Sequence, residues 1–189
     1  EAGEKRSVEM MYASEYQYLD DGNATGFIKY YTDRKYAFAA LLPKEDITVD
    51  NYIASLTGDG LMSTLQNAQN TEVNTAIPKF ESEYSAEMSG ILMSMGMTDA
   101  FNGDRADFTG LGKSAGGNIF INRVIHKTYI AVDEKGTKAG AATAVEMQKM
   151  SAPVKEPETV YLDRPFVYML LDCETNLPLF IGTVTDIGE

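Results

Sequence analysis

One stretch constrains this chain more than any other: DEKGTKAGAATAVEMQKMS, from Asp133 to Ser151. From Thr137 to Ala144 every side chain except Lys138 is small, so nothing bulky resists packing between two other segments. In an extended backbone, successive side chains point to opposite faces. One face then holds Thr137, Ala139, Ala141, Thr143, Val145 and Met147, none of them charged. The other holds Lys138, Gly140, Ala142, Ala144, Glu146 and Gln148, with both charges. That is the pattern of a half-buried strand. Ala, Met, Gln and Lys are also good helix formers, so Ala139 to Met150 fits an exposed helix too. Composition alone leaves both open.

A chain of 189 residues is long enough for one domain with a real core. Its formal charge of −12 argues against nucleic acid, which needs clustered Lys and Arg, and against anionic lipid. No apolar run approaches the length of a membrane span. Cys173 is alone, which rules out an intrachain disulfide, and its apolar surroundings suggest an inert buried thiol. The first residue is Glu1 rather than Met and no signal-like segment follows, so a leader or a longer N-terminal portion is expected upstream.

Taken in order, Arg6 to Tyr18 reads as extended, ending at the turn cluster Asp20-Asp21-Gly22-Asn23. Phe27 to Tyr31 and Lys35 to Leu42 read as strands, the second apolar on both faces and therefore covered on both sides. Thr48 to Leu56 reads as a short helix capped by Thr48 or Asp50 and broken by Gly58 and Gly60. Leu61, Met62 and Leu65 support a second helix. Asn74 to Phe80 returns to strand, with Pro78 marking an edge or an end. Ser85 is expected to open an amphipathic helix through Met88, Ile91, Leu92 and Met95, closed by Gly96. A loop-rich segment follows, anchored by Phe101, Phe108 and Leu111. Asn118 to Asp133 is a long extended run leading into the small-residue stretch. Phe166 to Asp172 and Leu177 to Val184 form a buried hairpin around Glu174-Thr175-Asn176.

No enzyme emerges from the residues. GLGKS at Gly110 to Ser114 lacks the first Gly of a phosphate loop, whose place Asp107 takes, so a flexible surface loop is the better reading. The one histidine, His126, lies mid-strand with no Ser elbow nearby and reads as a hydrogen-bonded core residue rather than a general base. One His and one Cys do not make a zinc site. Asp99, Asp104 and Asp107 do not fit the ligand spacing of a calcium loop. No cofactor and no metal are expected.

EKGTKAGAAT (Glu134 to Thr143) resembles the hinge of the serpin reactive-centre loop, where a Gly-Thr pair precedes an Ala-rich run. Other segments resemble serpins in the family's order: AIPKF (76–80), MTDAFNGDRADFTGL (97–111), VIHKTYIAVDEKGT (124–137), DRPFVYMLLD (163–172) and NLPLFIGTV (176–184). The early VEMMYASEYQYLDD and YAFAALLP stretches fit more loosely. A complete serpin is about twice as long, and the likeness is to the C-terminal half, so a fragment of a longer protein is expected.

The resemblance implies an α+β fold of strand-dominated mixed sheets with a few short helices, residues 1–189 being the C-terminal portion of one serpin domain. It implies an exposed reactive-centre loop over 134–160, with a hinge of Glu134, Gly136, Thr137, Ala139, Gly140, Ala141, Ala142 and Thr143. It further implies a suicide inhibitor of serine proteases: the protease acylates itself on a bait bond, and the cut loop inserts as a new strand. The family's spacing from Gly136 puts that bond at Met150-Ser151, which suits an elastase-like or chymotrypsin-like pocket. Lys149, one residue earlier, would instead attract a trypsin-like protease. Lys138 departs from the acidic residue usual there but falls on the charged face. A secreted protein is implied, as is self-association through strand edges left unpaired. The rival expectation is a non-inhibitory serpin-type binding or assembly protein whose loop is cut without inserting.

Overall fold

The computed structural model describes residues 7–134 and 156–186. The chain divides into two compact units, Glu1–Phe80 with Ala131–Glu189, and Glu81–Ile130.

The first unit is built around a five-stranded antiparallel sheet in which β4 (Tyr36–Pro43) lies between β3 (Ala24–Tyr30) and β9 (Phe166–Asp172). β2 (Tyr18–Asp20) flanks β3, and β10 (Pro178–Val184) flanks β9. The doubly apolar pattern of β4 has its cause here: every residue from Ala37 to Pro43 is buried. Ala37, Ala39 and Leu41 join Ile28, Val167, Met169 and Leu171 in one core cluster. That cluster includes Val49 and Tyr52 from α1 (Val49–Ser55) and Leu65 from α2 (Gly58–Gln66).

The opposite face is aromatic. Tyr168 packs 6.3 Å from Phe38, 5.3 Å from Phe80 and 5.9 Å from Phe180, measured between ring centroids. A second sheet, ordered β1–β5–β8, consists of β1 (Met10–Glu15), β5 (Val73–Pro78) and β8 (Glu158–Tyr161). β1 runs antiparallel and β8 parallel to β5. An ion pair between Glu15 of β1 and the buried Lys29 of β3 ties this sheet to the larger one.

Thr48 caps α1, its hydroxyl accepting the Asn51 N–H at 3.3 Å. The Tyr52 hydroxyl donates to Asp21 Oδ2 at 2.6 Å, while Asp21 Oδ1 accepts the N–H groups of Asn23 and Ala24. One carboxylate thus shapes the β2–β3 turn and anchors α1 to it. Gly58 and Gly60 do not break the helical region as expected. They open α2 as its first turn, with Thr57 accepting the Gly60 N–H at 3.1 Å, because a capped N-terminus tolerates glycine.

In the second unit, β6 (Phe80–Glu87) and β7 (Ile125–Val132) form a two-stranded sheet, all but their ends lying within the unit. The helix expected from Ser85 is shorter and later: Ser85 and Glu87 belong to β6, and α3 covers Ser89–Ser94. Pairing with β7 wins over helical periodicity. α3 closes in a Schellman motif, with the Gly96 N–H on Met93 O, the Met97 N–H on Leu92 O, and Gly96 at φ +104°. Phe101 and Phe108 are half-buried as anchors, whereas Leu111 is exposed.

Candidate functional site

Residues 135–155 lie outside the described residues, and with them the expected bait bond Met150-Ser151, the alternative Lys149, and the expected hinge residues Gly136, Thr137, Ala139, Gly140, Ala141, Ala142 and Thr143. The structure does place both ends of this segment. Upstream it leaves β7 at Val132; downstream it meets β8 at Glu158. The last residues of the expected loop, 158–160, already belong to β8, where Val160 is buried opposite Thr75.

Glu134, the first residue of the expected hinge, is held by an ion pair that no local sequence signal announces. Lys79 follows the last residue of β5, and its N–H bonds to Glu9 O at 3.0 Å, which fixes its backbone. Its ammonium then reaches Glu134 Oε1 at 2.6 Å and Glu9 Oε2 at 2.7 Å. The bond to Glu134, with that to Glu9 second, holds the Lys79 ammonium above its ordinary range. The same bond from Lys79 lowers the Glu134 carboxyl. Both groups are solvent-accessible, so the pair supplies little stability.

The sign of its pH dependence follows. A depressed carboxylate contributes above its unfolded value and loses that contribution as pH falls through its folded value. Carboxyl-carbon NMR titration should therefore place Glu134 below its ordinary range, and Lys79→Met should raise it. Equal titrations in the two proteins would remove the tether from the account.

The remaining residues singled out by sequence are not gathered into a site. His126 is exposed on β7, not in a core as expected; β7 pairs with β6 alone among the described residues, which leaves its local apolar pattern uncovered. Cys173 is partly buried beside the helix-covered core, and that burial, with Asp172 and Asp33 nearby, pushes its thiol up. That favours the protonated, unreactive form. Asp107 spends its carboxylate on the Thr109 hydroxyl and N–H, at 2.7 and 3.1 Å, and Asp99 pairs with Arg105 at 3.3 Å. Among the described residues no group of His, Cys, Asp and Glu is placed to hold a metal. Gly110 to Ser114 is exposed surface.

Comparison with known proteins decides the family. The profile described as Serpin (serine protease inhibitor) matches residues 1–187. The chain belongs to the serpin family. Serpins are in general protease inhibitors, and the strand-rich mixed sheets with few helices fit a partial serpin fold. An uncharacterized serpin-like protein of Thermococcus kodakarensis is 35% identical over 178 residues, 93% of this chain and 40% of that protein. Human Serpin B3 is 34% identical over 182 residues, 94% of this chain and 46% of its own length. The crystal structure of the thermophilic serpin Tengpin in its native state superposes with a TM-score of 0.81 at 48% identity, covering 96% of this chain and 47% of that one. A loop C-sheet serpin polymer matches at a TM-score of 0.70 and 42% identity, with 96% and 46% covered. This serpin chain thus spans less than half the length of each of these relatives.

Proposed function

We propose that this chain is the C-terminal half of a serpin that inhibits serine proteases by covalent trapping, with Met150-Ser151 as the bait bond and the loop running from 134 to the start of β8 at Glu158. One observation carries the reading: the segment with the uncharged, small-residue face is strung between strands of two different sheets, β7 and β8. A segment anchored that way can be cut without losing either end. After the cut, its hinge side remains attached to β7 and is free to pair beside it. From Gly136 to Met150 such a strand would carry an attached protease roughly 45–50 Å, at ~3.3–3.6 Å per residue.

An unbranched apolar Met150 suits an elastase-like or chymotrypsin-like pocket, and Lys149 a trypsin-like one. Brief digestion with elastase followed by intact-mass analysis should release a break between Met150 and Ser151. A break confined to the Lys149-Met150 bond with trypsin, and none with elastase or chymotrypsin, would move the bait by one residue. Insertion needs a strand on each side of the slot, and β7 supplies one. The second neighbour belongs to the portion that the relatives have and this chain lacks. The 189-residue chain alone is therefore a substrate rather than an inhibitor.

Self-association belongs to the same reading. Among the described residues β7 and β10 lie at the edges of their sheets, and an edge strand offers a template for a second copy. The similarity to a serpin caught as a polymer supports it.

A further inference from the structure

Every residue from 109 to 118 is exposed, and GLGKS lies at the centre of this excursion from the second unit. Gly110, Gly112, Gly116 and Gly117 sit there with Ser114 and Ala115, so little side-chain bulk flanks the backbone of Lys113. Both ends are clasped. At the start, Asp107 accepts the Thr109 hydroxyl and N–H, and the Leu111 N–H bonds to Phe108 O at 2.9 Å. At the end, the Asn118 side-chain amide donates to Gly103 O at 3.0 Å and to Ala106 O at 2.7 Å. From Lys113 to Gly117 the ties among the described residues are local: one bridge between Ser114 and Gly117, and the Gly116 N–H on Ser114 Oγ at 3.2 Å. Such a minimal hairpin is marginal in water. The Lys113 side chain is exposed and carries no ion pair or hydrogen bond among the described residues.

We propose that Lys113-Ser114 is a processing site for a trypsin-like protease, separate from the bait bond. A protease takes its substrate as an extended strand, so the bond it cuts must leave its local structure at low cost, as exposed tips of small residues do. A primary pocket with a buried Asp takes the long cationic side chain. Water adds across the peptide bond, leaving a carboxylate on Lys113 and a free amine on Ser114. The other basic residues of this unit fail on backbone freedom. Arg105 is followed by the buried Ala106, and the N–H groups of both bond to Asn102 O. Val124, after Arg123, is pinned by its N–H on Ser89 Oγ at 2.9 Å. Lys127 lies within β7. The nick leaves the unit assembled, because its ties cross the cut: β6 pairs with β7, the Ile121 N–H bonds to Ala100 O at 2.9 Å, and the Met88 N–H bonds to Val124 O at 2.8 Å. What is lost is the covalent link from α3 to β7, the strand from which residues 135–155 depart. The site stands without the inhibitor reading, since a cut here and a cut in 135–155 give fragments of different mass.

The test is brief trypsin digestion under native conditions, read by intact mass, of the 189-residue chain and of a full-length protein containing it. In both, the break between Lys113 and Ser114 should precede any at Arg105, Arg123 or Lys127. The pieces on either side of the break should elute together on native size exclusion. Lys113→Gln should slow the loss of that bond at least tenfold. Asn118→Ala frees one end of the excursion and should speed the cut severalfold, with Lys127 inside β7 still protected as the sign that the unit is folded. First cuts at Arg105 or Arg123 with Lys113 intact overturn the proposal. So does protection of Lys113 in the full-length protein, which would place this segment against the portion that the relatives have and this chain lacks. Pieces that separate on size exclusion would overturn the claim that the nicked unit holds together.

Discussion

Tyr168→Ala is expected to destabilise the first unit by about 3–5 kcal/mol, the range for removing a large buried aromatic side chain. Tyr168 is 2% exposed at the centre of the aromatic face, with Phe38 and Phe180 stacked on it and Phe80 and Phe166 against it. Its ring also covers Gly182 on the neighbouring strand, where a Cβ would meet the Tyr168 hydroxyl oxygen at 2.5 Å. Glycine at that position is what lets the ring lie flat across β10. Removing the ring therefore opens a cavity and exposes a backbone stretch with no side chain of its own to cover it. Chemical denaturation monitored by tyrosine fluorescence and far-UV circular dichroism checks the value. A loss under about 1 kcal/mol would mean that the aromatic face repacks around the gap.

Under the proposed trapping mechanism, Thr143→Arg in a full-length protein containing this chain is expected to turn an inhibitor into a substrate. Thr143 lies on the uncharged face of the stretch from Asp133 to Ser151, the face that the proposed insertion would carry into the sheet. Each new ladder hydrogen bond contributes only about 0.5–1.5 kcal/mol net. An unpaired guanidinium carried into the slot costs several kcal/mol, enough to cancel several of those bonds. Insertion slows, the acyl bond to the protease is hydrolysed first, and the loop is found cut with the protease free. Covalent adduct should fall at least tenfold while the rate of bait-bond cleavage holds. Lys138→Glu, on the charged face, serves as the control and should leave the adduct nearly unchanged. Equal losses from both variants would show that the face assignment is wrong.

Much of the fold is legible in the residues where local pattern and tertiary setting agree. Tyr36 to Leu42 is apolar on both faces and lies at the centre of the larger sheet. Thr48 is a cap by type and by geometry. Glu174-Thr175-Asn176 turns as its composition suggests, with Asn176 in the left-handed region at φ +56°. Pro78 marks the end of β5, although that strand is central rather than an edge.

The misreadings share one cause, which is that pairing partners distant in sequence decide local structure. Ser85 to Glu87 has the spacing of a helix start but continues β6, because β7 lies beside it. His126 sits among Ile, Val and Tyr residues that suggest burial, yet Ile125 and Tyr129 of the same strand are 49% and 62% exposed. The Lys79–Glu134 tether joins residues far apart in the chain and has no sequence signal beyond opposite charge. The edge-to-face contact of Tyr12 with Tyr161 exists only because the β1–β5–β8 register brings them to either side of Ala76.

The most direct test of the central claim is denaturing gel electrophoresis after mixing elastase or chymotrypsin with the full-length serpin and, separately, with the 189-residue chain. The full-length protein should give a band at the summed mass that survives boiling in detergent, with the protease attached at Met150. The 189-residue chain should give only the two products of a cut at Met150-Ser151. Cleavage of the full-length protein at that bond with no adduct, and no gain in its thermal stability afterwards, would contradict the account and leave a serpin-type binding or assembly protein in its place.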